Sequence, residues 1–258
     1  MEFLSEVVAL VRQYWSYLLT GVGYTMLLAL VGTIVGFLIG LLTGVIRTAP
    51  QSKNGAVRVL QKILNAIIAV YIEIFRGTPM MVQAMVIYWG YAFLNGGETL
   101  PLIPAGLFIV SINTGAYMAE IVRGGILSID RGQLEGAYSV GMTHTQAMTR
   151  VVLPQALRNI LPSVSNEFVI NIKDTSVLNV IGVTELYYMA GVIKRINLQT
   201  FPVYAVVCVI YFLLTFAVTQ LLRLAERKLA GSDNYTICGS GSDSQAEIHI
   251  RKEAQQNG

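Results

Sequence analysis

Apolar positions in this chain come in long charge-free runs rather than in strict alternation. Residues 13–46 form 34 consecutive uncharged positions, more than the about 20 that a helix needs to cross a bilayer core. This predicts a long first span, tilted or extending into the interface. Residues 77–97 and 99–119 are two further uncharged runs of 21, parted only by Glu98 in a stretch rich in Gly, Asn and Pro. They read as a helical hairpin. A last run of 27 uncharged residues, 196–222, is followed by Arg223, Arg227 and Lys228, as expected for a final span with a basic flank.

A weaker candidate covers residues 160–182, apolar overall but interrupted by Glu167, Lys173 and Asp174. Three central charges cost about 9 kcal/mol on the insertion scale, so this helix needs protein or water along one side. Counting it gives five spans. The loop 47–62 carries Arg47, Lys53, Arg58 and Lys62 and no acid, which predicts a cytoplasmic position and an N-terminus outside. Five crossings then put the basic C-terminal flank and the loop 123–158 inside as well, while Lys194 and Arg195 run against the rule. Residues 56–75, with only 63–72 uncharged in a row and flanked by Arg58, Lys62, Glu73 and Arg76, are expected at the cytoplasmic interface rather than across the membrane. The Ser-, Gly-, Asp- and Gln-rich tail, 231–258, is expected to be disordered, leaving residues 1–230 as the membrane domain.

Composition narrows the function. The chain is 54% hydrophobic and 13% charged, against about 25% charged for soluble domains, and its net charge of +3 is no footprint for nucleic acid. Lipid is the first partner. Glu2 and Glu6 near the start, without a basic region, do not make a removable signal peptide. Two cysteines, Cys208 and Cys238, form neither a disulfide framework nor a zinc site. His144 and His249 lack the spaced partners of a metal centre, and Met80, Met81 and Met85 read as packing residues. No nucleophile and base stand out, and no phosphate-binding Gly-x4-Gly-Lys-Ser/Thr loop is present, so no catalytic residue or cofactor is assigned to this chain.

Gly32, Gly36, Gly40 and Gly44 recur every four residues, a stripe on which another helix can approach closely, from the same chain or from a second subunit. In the loop, Asp130 with Gln133 resembles a capping box and predicts a short helix from Arg131 to Val140 ending at Gly141. Thr143 with Gln146 repeats the signature, predicting a second helix from His144 that stops at Pro154. A capped pair of short helices has a shape suited to a groove on another protein; an ordinary interfacial linker is the alternative.

The same loop carries a resemblance. Glu135-Gly136-Ala137, three residues, Gly141, nine residues, then Val151-Val152-Leu153-Pro154 match the spacing of the EAA pattern of ABC importer permeases, with Gly136 in place of Ala and Val151 in place of Ile. The segments 71–79, 113–123 and 172–176 resemble the polar amino acid permease subfamily, and the similarity covers roughly residues 15–228. It implies an all-α integral membrane protein with five transmembrane helices and a cytoplasmic coupling-helix loop, the MetI-like ABC permease fold. It further implies a cell-membrane pore built with an identical or similar second permease. The expected partners are a cytoplasmic ABC ATPase dimer that binds ATP and Mg, an extracellular substrate-binding protein, and an amino acid as cargo. Glu135, Gly136, Ala137, Gly141, Leu153 and Pro154 would contact the ATPase. An ion-coupled carrier or channel, or a permease for another small solute, are the alternatives.

An amino acid brings a carboxylate and an ammonium into an apolar passage, so intramembrane polar residues are candidate contacts. Asn113, Tyr117 and Glu120 share one helix face, and Glu167, Asn171 and Asp174 share another with Lys173 beside them. Acids could hold the ammonium and Lys173 the carboxylate. Equally, these charges could serve pairs such as Glu120 with Arg123. Glu73 and Arg76 read as structural.

Overall fold

The computed structural model describes residues 2–229 and the two short segments 235–238 and 247–250. The membrane domain is all-helical: α1 Glu2–Thr48, α2 Gly55–Gly77, α3 Met80–Leu94, α4 Leu102–Leu127, α5 Arg131–Ser139, α6 His144–Ala147, α7 Leu153–Asp174, α8 Leu186–Asn197 and α9 Thr200–Leu229. A π turn, Met148–Val152, joins α6 to α7, and a 3-10 segment, Thr175–Ile181, follows α7. Strands Tyr235–Cys238 and Glu247–Ile250 pair antiparallel; the rest of the tail expected to be disordered lies outside the described residues.

The glycine stripe sets the centre of the bundle. A Cβ on Gly36 would lie 2.7 Å from Thr114 Cβ, one on Gly40 would lie 2.6 Å from the Met118 carbonyl carbon, and one on Gly44 would lie 2.7 Å from Val122 Cγ1. The stripe is therefore a contact within the chain, between α1 and α4. Residue numbers rise together along both helices, so α1 and α4 run the same way and exactly one return crossing separates them. That crossing is made by α2 and α3 in succession: Ile68 and Ile72 cluster with Ala119 and Ala116, while Ala84 and Tyr88 cluster with Ile109 and Ala105.

Four helices, α1, α2, α4 and α9, are each long and apolar enough to span, and the rod containing α7, counted with α8 across a 54° bend as one span, brings the number to five. The expected hairpin is present, α3 packing antiparallel to α4, but α3 makes only part of the second crossing. α2, read above as interfacial, is long and apolar enough to span, whereas α3 within 77–97 has only 15 residues, about 22 Å of helix. Glu73 and Arg76 interrupt the charge-free run without interrupting the helix. The break falls instead at Thr78 and Pro79, both extended, because proline cannot donate its N–H and disfavours helical backbone in the residue before it.

Pro154 does not stop the second loop helix either. It follows directly on the π turn, whose shifted backbone register carries the helix past the proline's missing N–H without interruption. At the end of α7 the 3-10 segment stops at Gly182, whose φ of +89° is a left-handed conformation open to glycine. Leu10, Tyr14 and Leu18 of α1, Leu186, Ala190 and Ile193 of α8, and Val203 and Val207 of α9 form the core at the bundle end away from the loop. Val122, Ile126, Met148, Val152 and Ile160 form it at the loop end.

Candidate functional site

A cleft of about 280 Å³ opens where α2 breaks into α3. The break contributes Thr78, Pro79 and Met80; α4 contributes Asn113 and Tyr117; α7 contributes Glu167, Ile170, Asn171 and Asp174. Five of the seven polar residues named from sequence thus line one cavity, because residues three, four and seven apart fall on one helix face. Lys173 is exposed on α7 and does not line it. Glu120 lies one turn further along α4 and is engaged by Arg47 and Arg123.

The walls are held by amide side chains. Gln83 Nε2 donates to Phe75 O at 3.0 Å and to Thr78 O at 2.9 Å, binding carbonyls that the helix break leaves open. Asn113 Nδ2 donates to Gln83 Oε1 at 2.8 Å. Across the cleft, Asn171 Nδ2 donates to Thr33 Oγ1 at 2.8 Å and Thr114 Oγ1 at 3.0 Å, tying α7 to α1 and α4. A buried amide satisfied on both sides fixes the geometry around it. Asn113 and Asn171 therefore shape the cleft, while Glu167 and Asp174 form no ion pair; among the described residues the ion pairs are Arg47–Glu120 and Arg123–Glu120.

A cation stands over one of the lining residues. The Arg76 guanidinium lies 5.6 Å from the centroid of the Tyr117 ring, within cation–π range. Sequence reading treated Arg76 as structural and Met80 as a packing residue, took Thr78 and Pro79 only as part of the segment 71–79, and did not name Gln83; the pair Thr-Pro was the available signal for a broken helix. Glu185 was missed altogether. It has 0% exposure, and its carboxylate accepts from Tyr187 N at 2.9 Å, Tyr188 N at 2.6 Å and Tyr211 Oη at 2.9 Å, capping α8 and joining it to α9.

At the loop end, Asp130 Oδ1 accepts from Gly132 N at 2.7 Å and starts α5, and Gly141, at φ +81°, turns the chain toward α6. Thr143 and Gln146 form a reciprocal capping box, and Tyr138 Oη lies 2.8 Å from His144 Nδ1, closing the elbow. Glu135, Gly136, Gly141 and Pro154 are exposed, Leu153 is half-buried, and Ala137 is buried. The loop thus presents a capped, rigid surface containing most of the residues expected to meet an ATPase.

This broken-helix bundle with its capped loop pair matches the family of binding-protein-dependent transport system inner membrane components over residues 55–231, and the chain belongs to that family. It is the membrane-embedded permease component of such an importer, and ATP hydrolysis is carried by a separate ATPase. Among relatives, the chain is 36% identical over 219 residues to the L-cystine transport system permease protein TcyB of Bacillus subtilis (strain 168), covering 84% of this chain and 88% of that one. It is 37% identical over 167 residues to the glutamine transport system permease protein GlnP of Escherichia coli (strain K12), covering 65% and 76%. Among solved structures, one described as an amino acid ABC transporter with histidines aligns at TM-score 0.74 and 35% identity, over 88% of this chain and 99% of that one. The methionine transporter MetNI, at 21% identity and TM-score 0.64, shares the fold.

Proposed function

We propose that this chain forms the translocation path of an ATP-driven importer for polar amino acids, with its cargo site in the cleft between the α2–α3 break, α4 and α7. The observation that carries this reading is the pair Glu167 and Asp174, two carboxylates free of ion pairs lining one cavity, with Arg76 over the lining residue Tyr117. Carboxylates in an apolar passage take an ammonium, and a guanidinium takes a carboxylate, so the two ends of an amino acid find opposite charges. Discontinuous membrane helices commonly supply such midplane sites. The names of the relatives, cystine and glutamine permeases, agree with that cargo class.

In this reading the N-terminus and the α8 end face outward toward a substrate-binding protein, and the α5–α6 loop and C-terminal end face the cytoplasm. Glu135, Gly136 and Gly141 meet an ATPase dimer that binds ATP and Mg, and an identical or similar permease completes the pore. The test is uptake of labelled glutamine, cystine, arginine and histidine into vesicles holding this chain, its ATPase and its binding protein. ATP-dependent accumulation is expected, falling about tenfold or more in Glu167→Gln or Asp174→Asn, the scale of one lost charge-assisted hydrogen bond. Accumulation driven by an ion gradient without ATP would move the reading to an ion-coupled carrier, and wild-type uptake in both variants would remove the cargo site from this cleft.

A further inference from the structure

The wall of α4 that lines the cleft does not end there. Asn113 and Tyr117 share their helix face with Glu120 and Gly124, at i, i+4, i+7 and i+11. The opposite face, with Thr114, Met118 and Val122, is packed against the α1 glycines. Gly124 is exposed, and a Cβ built on it would meet nothing within 4 Å. This strip of α4 therefore leads from the cleft to open space at Gly124, with Arg76 over Tyr117 and the charges around Glu120 standing between the two.

Both oxygens of Glu120 are taken. Oε1 accepts from Arg47 Nη1, and Oε2 accepts from Arg123 Nε at 3.2 Å and Nη2 at 3.0 Å. Arg47 comes from the end of α1 and reaches α4 beyond the last glycine of the stripe. Two guanidiniums on one carboxylate leave a surplus positive charge, and Arg123 is the more exposed of the two, at 38% against 23%.

We propose that the Arg47–Glu120–Arg123 triad is the loop-side gate of the cargo path. It rests on the amino acid reading above and names how that site is closed. A zwitterion leaving the cleft along the α4 strip meets Arg123 with its carboxylate and Glu120 with its ammonium. It exchanges one ion pair for two, so neither charge is stripped bare in the passage. A neutral solute of the same size has nothing to offer in exchange and is held back.

The experiment measures ATP-independent efflux from preloaded vesicles holding the full assembly, using whichever of labelled glutamine, cystine, arginine or histidine the wild type accumulates. Glu120→Gln keeps the shape and removes the charge that holds both arginines; efflux should rise about tenfold, the scale of charged hydrogen bonds lost, with unchanged amounts of protein in the membrane. Wild-type efflux in this variant overturns the gate. Should Glu120→Gln fail to accumulate in the membrane, Gly124→Phe decides, since its Cβ enters open space. Reduced uptake at normal membrane levels supports a cargo lane along this strip, and wild-type uptake overturns it. Failure of wild-type vesicles to accumulate any of the four with ATP would defeat the amino acid reading itself, and the gate with it.

Discussion

Replacing Gly40 by alanine adds one methyl group between α1 and α4. That carbon would lie 2.6 Å from the carbonyl carbon of Met118 and 2.8 Å from Ala119 N. Both are backbone atoms and cannot rotate away. Carbon atoms rest about 3.5–4.0 Å apart, so α1 must withdraw by close to 1 Å, and a gap of about that size forfeits up to half of the dispersion energy of the contacts it opens. Gly36 and Gly44, one turn away on either side, lose contact as well. Overpacking of this kind costs about 1–3 kcal/mol, and a clash against backbone belongs at the upper end. Alanine returns up to about 1 kcal/mol in helix propensity, leaving a net loss near 2 kcal/mol. Gly23, on the same helix with nothing within 4 Å of its Cβ, is the control, because Gly23→Ala collects the propensity gain alone. Thermal unfolding of the purified chain in detergent should give a Gly40→Ala midpoint lower by about 4–8 °C and a Gly23→Ala midpoint equal to or above wild type. Matching midpoints for the two variants would refute the claim that backbone contact along the stripe sets the distance between α1 and α4.

Two further outcomes are expected. Glu185→Ala leaves two backbone N–H groups and the Tyr211 hydroxyl without their acceptor in a site closed to solvent. At roughly 1–3 kcal/mol for each orphaned group the unfolding midpoint should fall by more than in any exposed-site variant, and Glu185→Gln, which keeps an acceptor oxygen, should recover part of it; a wild-type midpoint in Glu185→Ala would contradict the node. Glu135→Ala, on the exposed face of α5, should insert normally yet impair coupling, read as reduced binding-protein-stimulated ATP hydrolysis, and full stimulation would take Glu135 out of the docking surface.

Features that depend on spacing along one helix could be read before any coordinates. Asn113 with Tyr117, and Glu167 with Asn171 and Asp174, came together because helical periodicity alone puts them on common faces. The α5 cap at Asp130 and the elbow at Gly141 followed from local backbone chemistry. Contacts between distant residues were hidden. Tyr211 reaches Glu185 across 26 positions, and Arg47 finds Glu120 across 73, so neither the tie from Glu185 to α9 nor the second arginine on Glu120 has a local signature, whereas the pair of Glu120 with Arg123, three residues apart, is legible in the spacing. Glu120 and Lys173 were grouped with the cleft because each neighbours residues that line it, yet one is drawn off by arginines and the other points away. The second crossing was read too short, without α2, for a different reason. Charges were allowed to end a helix, when the backbone cost of Pro79 ends it.

The π turn at Met148–Val152 has a mechanical consequence. It leaves the chain helical without interruption from His144 to Asp174, about 45 Å at the rise of an α-helix. One tip of this rod lies in the α5–α6 loop, and Glu167 and Asp174 stand near the other. A displacement applied at the loop would therefore act as on a lever arm, carrying both carboxylates in the same stroke instead of passing through a chain of side-chain rearrangements. Pro162, inside α7, removes one backbone bond on that arm and supplies a compliant joint. How stiff the joint is decides how much of the stroke arrives at the carboxylates and how much is absorbed as bending.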